Sequence, residues 1–358
     1  MDKVNAEKHK IFRGNLITFG MVIAAYIVVE IMMKTGNITS LLKGLLVPLC
    51  IYSILAVSLN LVVGISGELS LGHAGFMCVG AFTSATWSML MKSTSMPEGV
   101  RFFIAILIGA VSAAFFGFLI GIPVLRLKGD YLAIVTLAFG EIIKNLVNAL
   151  YFGVDAKGPH FSLEDSMHLN MEGGTIIIKG AQGITGAPKN SNFTIGVILL
   201  LIALFIVLNL INSRTGRAIM AIRDNRIAAE SVGLNVTKYK LLAFTVSAAI
   251  AGVGGVLYAH NLSSLQALPK NFGYNQSIMI LVFVVMGGIG NIRGSVIAAV
   301  VLTLLPELLR GLSDYRMLIY AVVLIFMMLF TSAPAFMQYR ERIMSALNRK
   351  KEVRKEKV

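Results

Sequence analysis

Charge is what this chain is shortest of. Asp, Glu, Lys and Arg make up 14% of its 358 residues, whereas soluble domains carry about a quarter. Hydrophobic residues make up 56%, and the mean hydropathy is +0.78. Cysteine is nearly absent too: Cys50 and Cys78 both sit inside apolar runs, which excludes a disulfide framework or a paired-thiolate metal site. There is no G-x-x-x-x-G-K-[ST] loop, so the chain does not hold ATP by that route. Neither H-E-x-x-H nor G-x-S-x-G occurs, and the repeated charge pairs of a proton relay are missing. Methionines spread through the apolar runs fill gaps rather than bind metal.

What is present is a series of apolar runs near twenty residues long. Candidate spans lie at roughly 15–33, 43–64, 69–91, 102–122, 131–152, 193–211, 238–261, 274–290, 294–311 and 315–334. Glycine crowds one end of the third and eighth. The chain therefore reads as an all-α polytopic membrane protein with about ten transmembrane helices. The net charge of +14 could suggest a nucleic-acid partner, but the basic residues sit in loops and at both ends, as orientation signals do. No nucleic acid is expected; the expected surroundings are lipid. Lys3, Lys8, Lys10 and Arg13 precede the first run, and Arg340, Arg342 and Arg349 open a basic tail. Both termini then face the cytoplasm, with tails at 1–14 and 336–358 around a membrane-spanning body at 15–335. The loop 153–192, without a basic bias, falls outside; a small hairpin there is one reading and a floppy linker the other.

Two glycine-rich stretches interrupt the spans, one in each half. The first is Gly64-Ile65-Ser66-Gly67-Glu68-Leu69-Ser70-Leu71-Gly72-His73-Ala74-Gly75 and the second Gly287-Gly288-Ile289-Gly290-Asn291-Ile292-Arg293-Gly294-Ser295. Paired interruptions point to two glycine-broken, inverted-repeat-like halves. Backbone groups freed by a break must be covered or line a water-filled cavity. Asn60, Ser70, Gly72, His73, Gly75, Gly288 and Gly290 are thus candidates for a pathway or gate. Close helix packing through small residues, as in Gly117-x-x-x-Gly121 and Gly290-x-x-x-Gly294, is the structural alternative. In the fifth span, Glu141, Asn145 and Asn148 share a face, and Glu141 can pair with Lys144. That face either lines a route or holds an internally satisfied ion pair. Pro306-Glu307 with Arg310 is a weaker signal of the same kind.

The segment 212–240 is the longest charged, helix-compatible stretch between spans. It holds Arg214, Arg217, Arg223, Arg226, Lys238 and Lys240 against Asp224 and Glu230. Asp224 is a candidate N-cap and Gly233 a candidate C′ residue. Between them a two-turn helix with Ala228 and Ala229 at its middle could present small residues to a partner. The alternative is an ordinary basic loop.

Several runs carry a family resemblance. Ser58-Leu59-Asn60-Leu61-Val62-Val63-Gly64, Gly67 to Phe76, Gly129 to Ile143, Gly183-Ile184-Thr185-Gly186, Ser213 to Ala218, Ala221-Ile222-Arg223-Asp224-Asn225 and Gly287 to Asn291 resemble the permeases of branched-chain amino acid ABC importers, most of all the LivM type. The resemblance implies a bacterial cytoplasmic-membrane permease subunit with no cofactor of its own, ATP and magnesium being held by partners. Those partners would be a second, LivH-like permease, two ABC ATPases and a periplasmic or lipid-anchored solute-binding protein. It implies a coupling helix where Arg217, Arg223, Asp224, Ala228, Ala229, Glu230 and Gly233 lie, although Glu230 follows the alanines whereas the family motif puts its Glu before them. The implied cargo is a branched-chain amino acid; urea, short amides or other neutral amino acids are the alternatives within the family. A stand-alone secondary transporter is the competing class, and a membrane enzyme or scaffold the third.

Overall fold

The computed structural model describes residues 2–332 apart from 37, 38, 95, 128, 166, 170 and 172; the tail at 336–358 lies outside them. Helices run in chain order as α1 (Asp2–Lys34), α2 (Ser40–Asn60), α3 (His73–Leu90), α4 (Glu98–Val124), α5 (Asp130–Ala149), α6 (Phe193–Asn212), α7 (Arg214–Asp224), α8 (Arg226–Ser231), α9 (Val236–Ala259), α10 (Pro269–Phe272), α11 (Tyr274–Gly287), α12 (Ile292–Leu308) and α13 (Arg316–Ser332). Among the described residues, seven helical segments are long and apolar enough to cross a membrane. They are Gly14–Lys34, Ser40–Ser66, Glu98–Val124, Tyr131–Ala149, Phe193–Asn212, Val236–Ala259 and Ile292–Gly311. The other three expected spans are also helical but shorter: α3 has 18 residues, α11 has 14 and α13 has 17.

The chain divides into two compact units, residues 1–300 and 301–358. Within the second, Arg310 pairs with Glu307 at 3.0 Å. The core of the first is α3, α4 and α9, and glycine sets its spacing. A Cβ on Gly255 of α9 would lie 2.0 Å from the Met77 carbonyl of α3, and one on Gly80 of α3 would lie 2.4 Å from the Gly252 carbonyl. On α4, a Cβ on Gly117 would meet Ala248 at 2.4 Å. Helices whose only outward alternative is lipid gain nothing from apolarity itself, so small residues that let backbones touch decide the packing. Around this core, α1 is tied to α12 by Arg293, whose Nε donates to Thr18 Oγ1 at 2.6 Å and whose Nη2 donates to the Gly14 carbonyl.

The loop 153–192 is folded rather than floppy. Strands β1 (Tyr151–Asp155), β2 (Gly158–Ser162) and β3 (Thr175–Lys179) form an antiparallel sheet in the order β2-β1-β3. Asp155 Oδ1 accepts from the Lys157 and Gly158 amides at 2.7 and 3.1 Å, closing the β1–β2 turn as an Asx turn. Short strands β4 (Ile184–Thr185) and β5 (Ser264–Leu265) pair with each other, linking this loop to the segment after α9.

The glycine spacing yields a test. Gly255→Val forces Cβ and two methyls into the Met77 backbone and should cost at least about 1–3 kcal/mol. Gly44→Val, with nothing within 4 Å, should cost far less. Size-exclusion profiles after detergent extraction distinguish them: a monodisperse Gly255→Val protein would refute the packing account.

Candidate functional site

The two glycine interruptions meet in space. Helix α2 ends in a π-helical turn, Leu61–Ser66, and stops at Gly67, whose φ of 74° is left-handed. The second break turns at Gly288 and Gly290, with φ of 93° and 82°. Gly64 lies against this turn: a Cβ there would fall 2.0 Å from Asn60 Oδ1 and 2.3 Å from the Gly290 nitrogen. Asn60 is fully buried and bridges the breaks. Its Oδ1 accepts from the Gly290 amide at 2.8 Å, and its Nδ2 donates to Ser295 Oγ at 2.8 Å. An apolar residue at position 60 would strand the Gly290 amide, while the Ser295 hydroxyl would keep its bond to the Asn291 carbonyl at 3.2 Å.

The chain leaving the first break is tied to α5 and α11. Thr136 Oγ1 accepts from the Leu71 amide at 3.0 Å, and Ser277 Oγ accepts from the Ala74 amide at 3.0 Å. Gly72 and Gly75 permit this docking, since Cβ atoms there would lie 2.0 Å from the Thr136 carbonyl and 2.8 Å from Gly140 Cα. Ser70 is buried, and its hydroxyl has no hydrogen-bond partner among the described residues. His73 is buried beside the edge of Phe76, its Nε2 2.6 Å from Ser58 Oγ. Because the Ser58 hydroxyl also donates to the Leu55 carbonyl at 2.9 Å, the ring has a satisfied packing position.

Glu141 acts as a local anchor. It pairs with Lys144, and its Oε1 accepts from the Tyr274 amide at 2.8 Å. A carboxylate placed at the first amide of α11 satisfies a free N–H and meets the positive end of the helix dipole. The face shared by Glu141 and Asn145 is not continuous in use, because Asn145 is exposed while Lys144 is buried.

The segment 212–240 forms two helices. Ser213 caps α7 by accepting from the Gly216 amide at 3.0 Å, and Arg217 Nη1 donates to the Asn212 carbonyl at 3.0 Å. The expected N-cap at Asp224 is not found. Asp224 is the last residue of α7, and its carboxylate is taken by Arg223, with Nε at 3.0 Å and Nη2 at 2.9 Å. Asn225 caps α8 instead, accepting from the Ala228 amide at 3.0 Å. The two-turn helix expected over 224–233 is accordingly the single six-residue α8. Gly233 does stop it, with φ of 85°, in a Schellman arrangement: Leu234 N–H reaches the Ala229 carbonyl at 3.0 Å and Gly233 N–H the Glu230 carbonyl at 3.0 Å. Arg226 and Glu230 pair along its outer side at 2.9 Å.

The alanines do not both face outward. Ala229 is buried with Ile222 and Val236 under Leu234 and Tyr239. The outward residues are Ala228, Ile227, which is 81% exposed, and Val232, which is 75% exposed. An amphipathic helix must turn one stripe to its own core, and Ala229 belongs to that stripe. Sequence reading missed Ile227 and Val232; two apolar residues five apart around a capped turn were the available signal.

This two-helix linker is fastened to the first break. Arg223 Nη1 donates to the Gly64 carbonyl at 2.8 Å, and its aliphatic stem covers Gly67. Lys240, at the start of α9, pairs with Glu68. A cation on the freed carbonyls at a helix end satisfies them and complements the dipole.

These features define a class: a multi-pass helical membrane protein whose two helix interruptions pack on each other and on a folded basic linker, with no group of three or more potential metal ligands among the described residues. The chain belongs to the branched-chain amino acid transport system permease component family, whose model matches residues 41–331. It is 38% identical over 295 residues to the high-affinity branched-chain amino acid transport system permease protein LivM of Salmonella typhimurium, covering 78% of this chain and 66% of that protein. To LivM of Escherichia coli K12 it is 37% identical over 294 residues, again covering 66% of the relative, so the match spans just under two thirds of both. To the permease LivH of Escherichia coli K12 it is 22% identical over 285 residues, 78% of this chain and 88% of that one. No solved structure matches the chain.

Replacing Asn60 by Leu keeps its size and removes both hydrogen bonds. With the half-buried Gly290 amide left unpaired, the expected loss is about 1–3 kcal/mol, seen as a lower thermal midpoint in detergent. Asn145→Leu, at an exposed position, should leave the midpoint unchanged; equal midpoints for both variants would rule out the bridge.

Proposed function

We propose that this chain is a permease subunit of an ATP-binding cassette importer in the bacterial cytoplasmic membrane. Its cargo is a branched-chain amino acid, and ATP is hydrolysed by two partner ATPase subunits. A second, LivH-like permease completes the membrane unit, and a periplasmic or lipid-anchored binding protein delivers the solute. Family membership and the LivM relatives support this reading. The charge distribution supports cytoplasmic termini and a cytoplasmic linker at 212–240, with the sheet of 151–179 outside. On this reading α3, α11 and α13 are the remaining crossings of a ten-span chain. The breaks at 67–72 and 288–291 are the interruptions of its two inverted-repeat-like halves.

The observation that carries the coupling role is the bond from Arg223 to the Gly64 carbonyl. ATPase closure would push on α8 through Ile227, Ala228 and Val232, with Arg226 and Glu230 around them. Ala229 and Gly233 hold the shape of α8, Asp224 orients Arg223, and Arg217 fixes the root of α7. Force then reaches Gly64, Asn60 and Gly290 together. The route for solute passes the break, where Ser70 offers a buried hydroxyl, with Gly72, Gly75 and Gly288 allowing the backbone to move. His73, Glu141 and Asn145 flank it, the first two as anchors.

Arg223→Ala in the assembled importer should retain ATP hydrolysis within about twofold and lower leucine uptake by at least tenfold, because the partly buried charge-assisted hydrogen bond that ties the linker to Gly64 is lost. Ile227→Asp should instead strip the ATPases during purification. Reconstituted uptake alongside phosphate release checks both; full uptake with Arg223→Ala would dismiss the tie as a transmission path. Uptake by this chain alone, driven by an ion gradient, would dismiss the importer reading itself.

A further inference from the structure

A polar cavity of roughly 420 Å³ lies away from the breaks, between α2, the end of α9, α10 and the start of α11. We propose that it binds a zwitterionic aliphatic α-amino acid, carboxylate against Lys270 and side chain against Tyr52, Tyr258 and Met279. The inference rests on the importer reading and assigns the substrate a resting place within it.

The size falls within the range of about 300–1,000 Å³ usual for small-molecule sites. Its lining holds one cation and no acid, so it favours an anionic group and rejects a free cation. Lys270 has no carboxylate partner among the described residues, so its ammonium is available to a ligand. Asn275 and Gln276 are at the first turn of α11, one and two residues past the Tyr274 amide that Glu141 caps. Their side-chain carbonyls, with the tyrosine hydroxyls, can accept from the ligand's ammonium group.

The apolar side of the cavity is held rigidly. The Tyr52 ring meets Phe283 edge-on at 5.8 Å, and Tyr258 meets Phe272 edge-on at 5.4 Å. Met279 completes this side with a flexible thioether, suited to aliphatic chains of differing branching. Phosphate or acetate would use Lys270 alone and leave these three contacts unmade. The next residue along α11, Ser277, accepts from the Ala74 amide, so the helix lining the cavity also holds the chain leaving the first break.

The test uses the importer assembled in liposomes with its partner permease and ATPases. Asn275→Cys places a thiol in the cavity, while native Cys50 and Cys78 are buried. A membrane-impermeant methanethiosulfonate should label the introduced thiol. Leucine should slow that labelling severalfold, whereas leucinamide and acetate should not. Adding Lys270→Gln should raise the protecting leucine concentration about tenfold, the worth of one charged hydrogen bond, and Lys270→Arg should largely restore it. Protection by leucinamide equal to that by leucine overturns the proposal, as does protection indifferent to Lys270→Gln. So does a thiol reactive in the isolated chain but closed in the assembled importer, since the partner permease would then occupy the cavity. Leucine protection without ATP-driven uptake refutes the importer reading and leaves the site standing; uptake without protection refutes the site alone.

Discussion

Everything in the first unit answers one constraint: a helix broken inside an apolar medium leaves backbone groups that no water will satisfy. Each costs several kcal/mol if left alone. This chain answers with side chains from far away in sequence. The Gly64 carbonyl takes a guanidinium nitrogen from Arg223, and the Gly290 amide takes the carbonyl of Asn60. Leu71 and Ala74 use hydroxyls of Thr136 and Ser277. The breaks are therefore junctions, each stitched to a different helix, and the tertiary fold near them is fixed by hydrogen bonding more than by apolar contact.

The same constraint explains why glycine is concentrated there. A side chain at Gly64 would push Asn60 off the second break, and one at Gly72 would collide with the Thr136 carbonyl. Only Gly67, Gly288 and Gly290 among the break residues need a left-handed backbone. The glycines of the breaks thus serve two physical ends, turning the chain and letting backbones approach. The stretches 64–75 and 287–295 mix both.

Much of this was legible in the sequence. Among the described residues a helix stands at each expected place, and seven are long and apolar enough to cross a membrane, because apolar runs leave the backbone no other way to satisfy itself. The two interruptions were visible as glycine, and the Glu141–Lys144 pair as a spacing of three. What was hidden depended on partners remote in sequence or on competition between neighbours. Nothing near Asn60 announces residues 290 and 295. The Tyr274 amide that Glu141 caps is likewise in another helix. Asp224 is the better-looking cap by composition, but the adjacent Arg223 outbids the backbone for its carboxylate, and Asn225 is left to cap α8. The inward turn of Ala229 follows from Ile222 and Val236, which flank it in sequence and close over it only once Gly233 reverses the chain.

The geometry also bears on how a small linker could influence a large helical body. Helix α8 has few contacts with the spans, but α7 ends on Arg223, and Lys240 begins α9 on Glu68. Both fastenings act on the same short segment, residues 64–68, from the two sides of α8. A displacement of α8 therefore cannot move one without loading the other. At Gly64 the load meets Asn60, which is already committed to Gly290 and Ser295. Three stretches distant in sequence share one packed junction with no spare volume for a methyl group. Packed elements of this kind shift between discrete arrangements rather than deform continuously, so on the proposed reading the junction is where a push from outside the membrane becomes a rearrangement within it.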